Sequence, residues 1–179
     1  MKRSFVLSLV FVMLLFTGCG KENAAVGVIG GADGPTTVIV AEQAEPWEYD
    51  MYADELIYNY DLLVVAYEEF DAEYYNGDAD GTIAASDSCI AALDGLIEAV
   101  PPAAIAQYHE DVVQAAEYEK EVYGCAKMLA EFSKRADSLT AEEKAEVDRI
   151  NAFVTEYYEQ PEFSLSDAWV AAFDAAMNY

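Results

Sequence analysis

The sequence predicts an all-α protein, an up-down bundle of four or five helices. Three observations carry that prediction. From Trp47 onward apolar residues recur at steps of three and four, the period of a helix with one buried face. Carboxylates fill much of the space between them. Proline, glycine and capping signals interrupt the pattern at helix-length intervals. The body holds no convincing strand and no internal repeat. A chain of 179 residues with 54% hydrophobic content has room for one core-forming domain and not two.

The first helix is the plainest. Tyr49, Tyr52, Leu56, Tyr60, Leu63, Tyr67, Phe70 and Tyr74 form one stripe. Tyrosine at such positions is core whose hydroxyls reach the rim, and the alternative is a platform for a sugar or an aromatic ligand. The second helix runs from about Thr82 to Val100, with Cys89, Leu93 and Leu96 on one face. Pro101-Pro102 stops it, because the residue before a proline is pushed out of the helical region. Pro102 can then open the third helix, which carries Ile105, Tyr108, Val112, Ala115, Val122, Cys125, Leu129 and Phe132. The fourth starts at Thr140, where Thr140 and Glu143 fit a capping box. Pro161 ends it, and the last helix begins at Ser164 or Ser166 and carries Trp169 and Phe173.

Composition narrows the partners. Nine basic residues face 34 acidic ones, for a net charge of −25. Nothing here neutralises phosphates, so nucleic acid is excluded as a partner. Electrostatic adsorption to an anionic bilayer is disfavoured too. One histidine and three cysteines cannot build a histidine-rich metal centre or a four-cysteine zinc site.

Residues 1–18 read as a leader. Lys2 and Arg3 precede the apolar run Phe5–Phe16, broken only by Ser8. That run is too short to span a bilayer, which needs ~20 helical residues, and has the length of a signal-peptide core. Phe16-Thr17-Gly18-Cys19 resembles a bacterial lipobox, with Phe16 where leucine is usual. The resemblance implies cleavage before Cys19, diacylglycerol on its sulfur, and anchoring to the extracytoplasmic face of a bacterial membrane. The alternative is an ordinary secretory signal. Cleavage removes two of the nine basic residues, leaving seven against 34 acidic ones, a net charge of −27.

Residues 19–46 read as the lipidated N-terminus and a tether, either extended and flexible or a small hairpin. Its centre, Gly27 to Val40, holds Gly30-Gly31-Ala32-Asp33-Gly34-Pro35-Thr36. This run is similar to a signature of the β subunit of sodium-translocating decarboxylases, in which the aspartate, here Asp33, takes part in sodium passage. Those subunits use many transmembrane helices to place that aspartate, and no segment after the leader approaches transmembrane length. The resemblance implies at most an accessory of such a complex, or a motif reused for docking.

Between the first two helices, residues 76–87 resemble an EF-hand loop of the dockerin kind. Asn76, Asp78, Asp80, the Thr82 carbonyl and Asp87 fall on loop positions 1, 3, 5, 7 and 12, with Gly81 at the turn position. Calcium is thus the one cofactor the sequence suggests. The competing reading is a plain helix-helix turn, with Gly77 ending one helix and Asp80 or Thr82 capping the next.

Catalysis has little support. His109 lacks the second histidine of a zinc-protease helix and is expected at a helix surface or rim. No serine or cysteine stands in an activating motif. Cys89 and Cys125 are expected as two buried free thiols. If the second and third helices fold back at the proline pair, Cys125 lies ~11 residues, or ~16 Å, past the level of Cys89, too far for a disulfide. The expectation is a non-catalytic binding or interaction module, residues 47–179, held to the membrane by Cys19 and acting on a protein or small ligand. Calcium-dependent structure or adhesion is the first alternative.

Overall fold

The computed structural model describes residues 44–159 and 164–179. They form five helices: α1 Pro46–Asn76, α2 Ala79–Glu98, α3 Ala106–Ser133, α4 Ala141–Glu159 and α5 Leu165–Met177. Short 3-10 turns at Ala103–Ile105 and Ala136–Ser138 flank α3. Among the described residues there is no strand. The predicted helical bundle is the observed architecture.

Local chemistry sets the boundaries. At the start of α1 the Glu45 amide donates to Glu48 Oε2 at 2.6 Å, and Pro46 takes the first position, where its missing N–H costs nothing. Gly77 ends the helix at φ 73°, and its amide bonds back to the Tyr74 carbonyl. This left-handed conformation suits glycine. The expected capping box of α4 is present: the Thr140 amide donates to Glu143 Oε2 at 2.9 Å, and the Glu143 amide to Thr140 Oγ1 at 3.2 Å. Ser164 caps α5 through the Asp167 amide.

Four helices make a ring: α1 packs on α2, α2 on α3, α3 on α5, and α5 on α1. α4 packs on α3. Side-chain pairs fix the directions. Tyr52 meets His109 and Phe70 meets Tyr123, so α1 and α3 run parallel. Tyr49 stacks on Tyr179, and Tyr60 on Trp169, so α5 runs against α1. Arg135 pairs with Glu143, and Tyr118 meets Phe153, so α4 runs against α3. The chain thus goes up, down, up, and then down twice. α4 covers the later half of α3, and the 13-residue α5 covers the earlier half.

The core is correspondingly deep at one end. Tyr52, Leu56, Leu93, Leu96, Ile105 and Val112 are fully buried there. α1 and α2 approach so closely that a Cβ at Gly95 would sit 2.1 Å from Asn59 Oδ1. The buried Asn59 amide donates to the Glu55 carbonyl at 3.0 Å.

Two expectations need correction. α2 begins at Ala79, not Thr82, because Asp78 supplies the cap. His109 is buried, not at a rim. Its ring sits in the α3 stripe one residue from Tyr108, which takes the exposed place instead. The Tyr52 hydroxyl lies 3.0 Å from His109 Nδ1, and Nε2 lies 3.4 Å from the Ile97 carbonyl. Both ring nitrogens are thereby satisfied by a neutral imidazole. Burial lowers the His109 pKa and keeps it in that form.

Candidate functional site

Cys19, Gly30, Gly31, Asp33 and Gly34, the predicted lipidation and sodium-motif residues, lie outside the described residues. The calcium candidates lie inside them. Asn76 is the last residue of α1, and only Gly77 and Asp78 stand between the helices. Asp78 Oδ1 accepts from the Asp80 and Gly81 amides, both at 3.0 Å, so it caps α2. The Thr82 hydroxyl donates to the Asp78 carbonyl, and the Thr82 carbonyl accepts from Ser86 Oγ. Of the five predicted ligands, Asn76 closes α1, Asp78 caps α2, and Asp80, Thr82 and Asp87 lie within α2. Among the described residues no group of three His, Cys, Asp or Glu is placed to hold a metal ion.

Asp80 and Asp87 have other partners. Lys134 pairs with Asp80 at 2.6 Å, Lys127 pairs with Asp87, and Lys120 pairs with Asp94 at 2.6 Å. Each step is seven residues down α2 and seven up α3, two helical turns. This ladder sets the register of the antiparallel pair. It also corrects the cysteine geometry. Cys89 lies two residues past the Asp87 rung and Cys125 two before Lys127, so the two stand at one level. The three rungs centre on residue 107, about five residues past the proline pair, and a fold-back at the prolines misses that offset. Both thiols are free nonetheless. Cys89 is fully buried beside Tyr123, and burial pushes its thiol up to about 11. Cys125 is only half-buried and faces α4, where it lines the groove described below.

These assignments make a direct prediction. Asp78→Ala removes the cap and should cost about 1 kcal/mol. The loss should be the same in millimolar calcium and in chelator, read from urea denaturation curves. A calcium-induced gain in stability that Asp78→Ala abolishes would establish the cation reading.

The surface with functional character lies on the later half of α1, just before the turn to α2. The predicted stripe is core only in part. Tyr49, Tyr52, Leu56 and Leu63 are buried, but Tyr67 is 46% exposed and Tyr74 is 55% exposed. All of them share one helix face. The difference is what lies opposite. α5 covers α1 from the level of Tyr49 to that of Tyr60, and then its chain length is spent. Beyond it, Val64, Tyr67 and Tyr74 continue the stripe into the open, with Tyr75 beside them. Phe70 is half-buried against Tyr123, with ring centroids 5.3 Å apart.

Across this opening α3 carries an unexpected core carboxylate. Val112, Ala116, Glu119, Tyr123, Ala126 and Ala130 follow one face at steps of three and four, and all but Glu119 are buried hydrophobics. Burial pushes the Glu119 carboxyl up to about 7, opposed by a hydrogen bond from Tyr157 of α4. No ion pair with a described cation involves it.

A concavity lies between α3 and α4. It is a groove of about 530 Å³ lined by Cys125, Met128, Ile150 and Phe153, with Glu121 and Arg149 at its edge. Its volume lies in the range of small-molecule sites. Arg149 is already paired with Glu146.

Charge divides the molecule. α1 carries nine carboxylates and no basic residue, and α5 has none either. Every basic residue of the body lies between Lys120 and Arg149. The tyrosine face of α1 therefore rises from a helix without cations, and the body's cations stand on α3, α4 and the turn between them.

No protein-family model, no curated protein and no solved structure matches this chain. Among the described residues, no single helix is long and apolar enough to cross a membrane.

Proposed function

We propose that this chain is a lipid-anchored, extracytoplasmic helical bundle that works as a non-catalytic interaction module. The observation that carries the reading is the aromatic stripe of α1, which continues past the end of α5 and leaves Tyr67 and Tyr74 in the open. A buried-type pattern on an exposed face marks a surface made for another molecule. Tyrosine suits it, offering a large apolar body with a polar tip at small entropic cost. The leader supports the location. Lys2, Arg3, the apolar run to Phe16 and Gly18-Cys19 form the lipobox resemblance, and two acyl chains on one cysteine give stable anchoring where one is marginal.

The test is lipid labelling in bacterial cells. Radiolabelled palmitate should enter the wild-type chain and not Cys19→Ser, and globomycin should cause the uncleaved precursor to accumulate. An unacylated full-length product in the cytosol would overturn the location. The bundle and its open stripe would stand, and only the anchoring would be withdrawn.

A further inference from the structure

We propose that the open stretch of α1 is the docking site for a cationic amphipathic helix of a partner protein, laid where no described helix takes the fourth place in the ring. This deepens the interaction-module reading and rests on it. The shape of the site follows from the fold. At the level of Tyr49 to Tyr60, α5 lies against both α1 and α3 and completes the ring. At the level of Val64 to Tyr74, α1 still presents Val64, Tyr67 and Tyr74 at helical spacing, and α4 packs on α3. From Val64 to Asn76 the uncovered stretch is about 18 Å long at 1.5 Å per residue. A helix of about 12–14 residues spans it, a common length for helix-in-groove recognition through anchors at every third and fourth position.

Charge selects the occupant. Glu68 and Asp71 flank these apolar positions, and α1 offers no cation anywhere. A second copy of this chain would bring another strongly acidic body against it, and an anionic bilayer would be repelled in the same way. A helix with apolar residues on one face and lysine or arginine flanking them meets both features. Its cations can also lie over the tyrosine rings. At the same level Glu119 has no described cation, and a lysine reaching it would supply the missing counter-charge.

The experiment uses residues 20–179 and a synthetic 14-residue peptide of leucine and lysine with helical amphipathic spacing. A scrambled peptide of the same composition controls for charge. The amphipathic peptide should bind with 1:1 stoichiometry, about tenfold or more tighter than the scrambled one. Tyr67→Lys with Tyr74→Lys should weaken it by about tenfold or more, the scale of losing a central aromatic anchor. Tyr58→Lys with Val65→Lys makes the same charge change on the opposite, also exposed, side of α1 and should weaken it by no more than about threefold, the share of general electrostatics. Equal binding of the two peptides, or equal losses in the two double variants, would overturn the proposal. So would a dimer, or binding to zwitterionic vesicles, that Tyr67→Lys with Tyr74→Lys abolishes, because either result gives the face to another occupant. None of these outcomes depends on lipidation, so this proposal and the anchoring fail separately.

Discussion

Trp169→Ala should destabilise the bundle by about 3–5 kcal/mol, the range for removing a large buried aromatic. Trp169 is the bolt between α5 and α1. Its indole Nε1 donates to the Leu56 carbonyl at 3.1 Å. Its ring stacks between Tyr60, with centroids 4.8 Å apart, and Phe173, at 5.1 Å. Three contributions are lost together: the apolar area, the aromatic contacts and the one hydrogen bond that a phenylalanine could not replace. α5 has only 13 residues, too few to be stable as an isolated helix, so its order depends on this contact. Urea denaturation followed by circular dichroism reads the loss. A Trp47→Phe background isolates Trp169 fluorescence, because Trp47 is exposed. Emission from the folded state should be blue-shifted and should move red with unfolding. A loss below about 1 kcal/mol would mean that α5 is not held as described.

How far the sequence disclosed this arrangement depends on which physical signal one follows. Helix existence and most ends, the start of α2 excepted, were legible because they rest on local chemistry. The Thr140–Glu143 box, the Ser164 cap and the glycine at 77 act within four residues of themselves. Register between α2 and α3 is a non-local property and was misread. The information was present in Asp80, Asp87 and Asp94 set against Lys120, Lys127 and Lys134. It was hidden by a degeneracy: positions 5 and 12 of an EF-hand loop are seven residues apart, the same interval as two helical turns. Asp80 and Asp87 therefore satisfy either pattern, and only the lysines on α3 show that the pair also serves the register. His109 and Glu119 were missed for a related reason. Both stand on the buried face of α3 between apolar neighbours, and a search for apolar periodicity passes over a polar residue whose partner lies on another helix. The exposure of Tyr67 and Tyr74 was not legible either. Their own helix marks them as core, and only the length and placement of α5 leave them open.

Glu119→Gln should stabilise the protein by about 2–3 kcal/mol at pH 8 and change it little near pH 4, an uncommon gain for a single core substitution. The sign follows from proton counting. In the folded chain burial raises the Glu119 pKa from 4.5 to about 7. Below pH 4.5 both folded and unfolded states hold the proton, and nothing depends on pH. Between there and pH 7 the folded state keeps a proton that the unfolded state has released, so stability falls as pH rises. Above pH 7 the penalty for a desolvated carboxylate is complete. Glutamine keeps the size and leaves an oxygen to accept the Tyr157 hydrogen bond, but it carries no charge, so it escapes the penalty. His109 slopes the opposite way: burial lowers its pKa, so its contribution is lost as pH falls. Glu143, held near 2 by Arg135 and the Thr140 amide, is only half-buried at the surface and adds a screened contribution at the acid end. The difference between wild type and Glu119→Gln cancels both. Thermal melts at pH 4, 6 and 8 should show a Tm gap that opens by several degrees across that range. A gap that is constant with pH, or one that favours glutamate at pH 8, would mean that Glu119 has its counter-charge already and that its carboxyl is not desolvated as described.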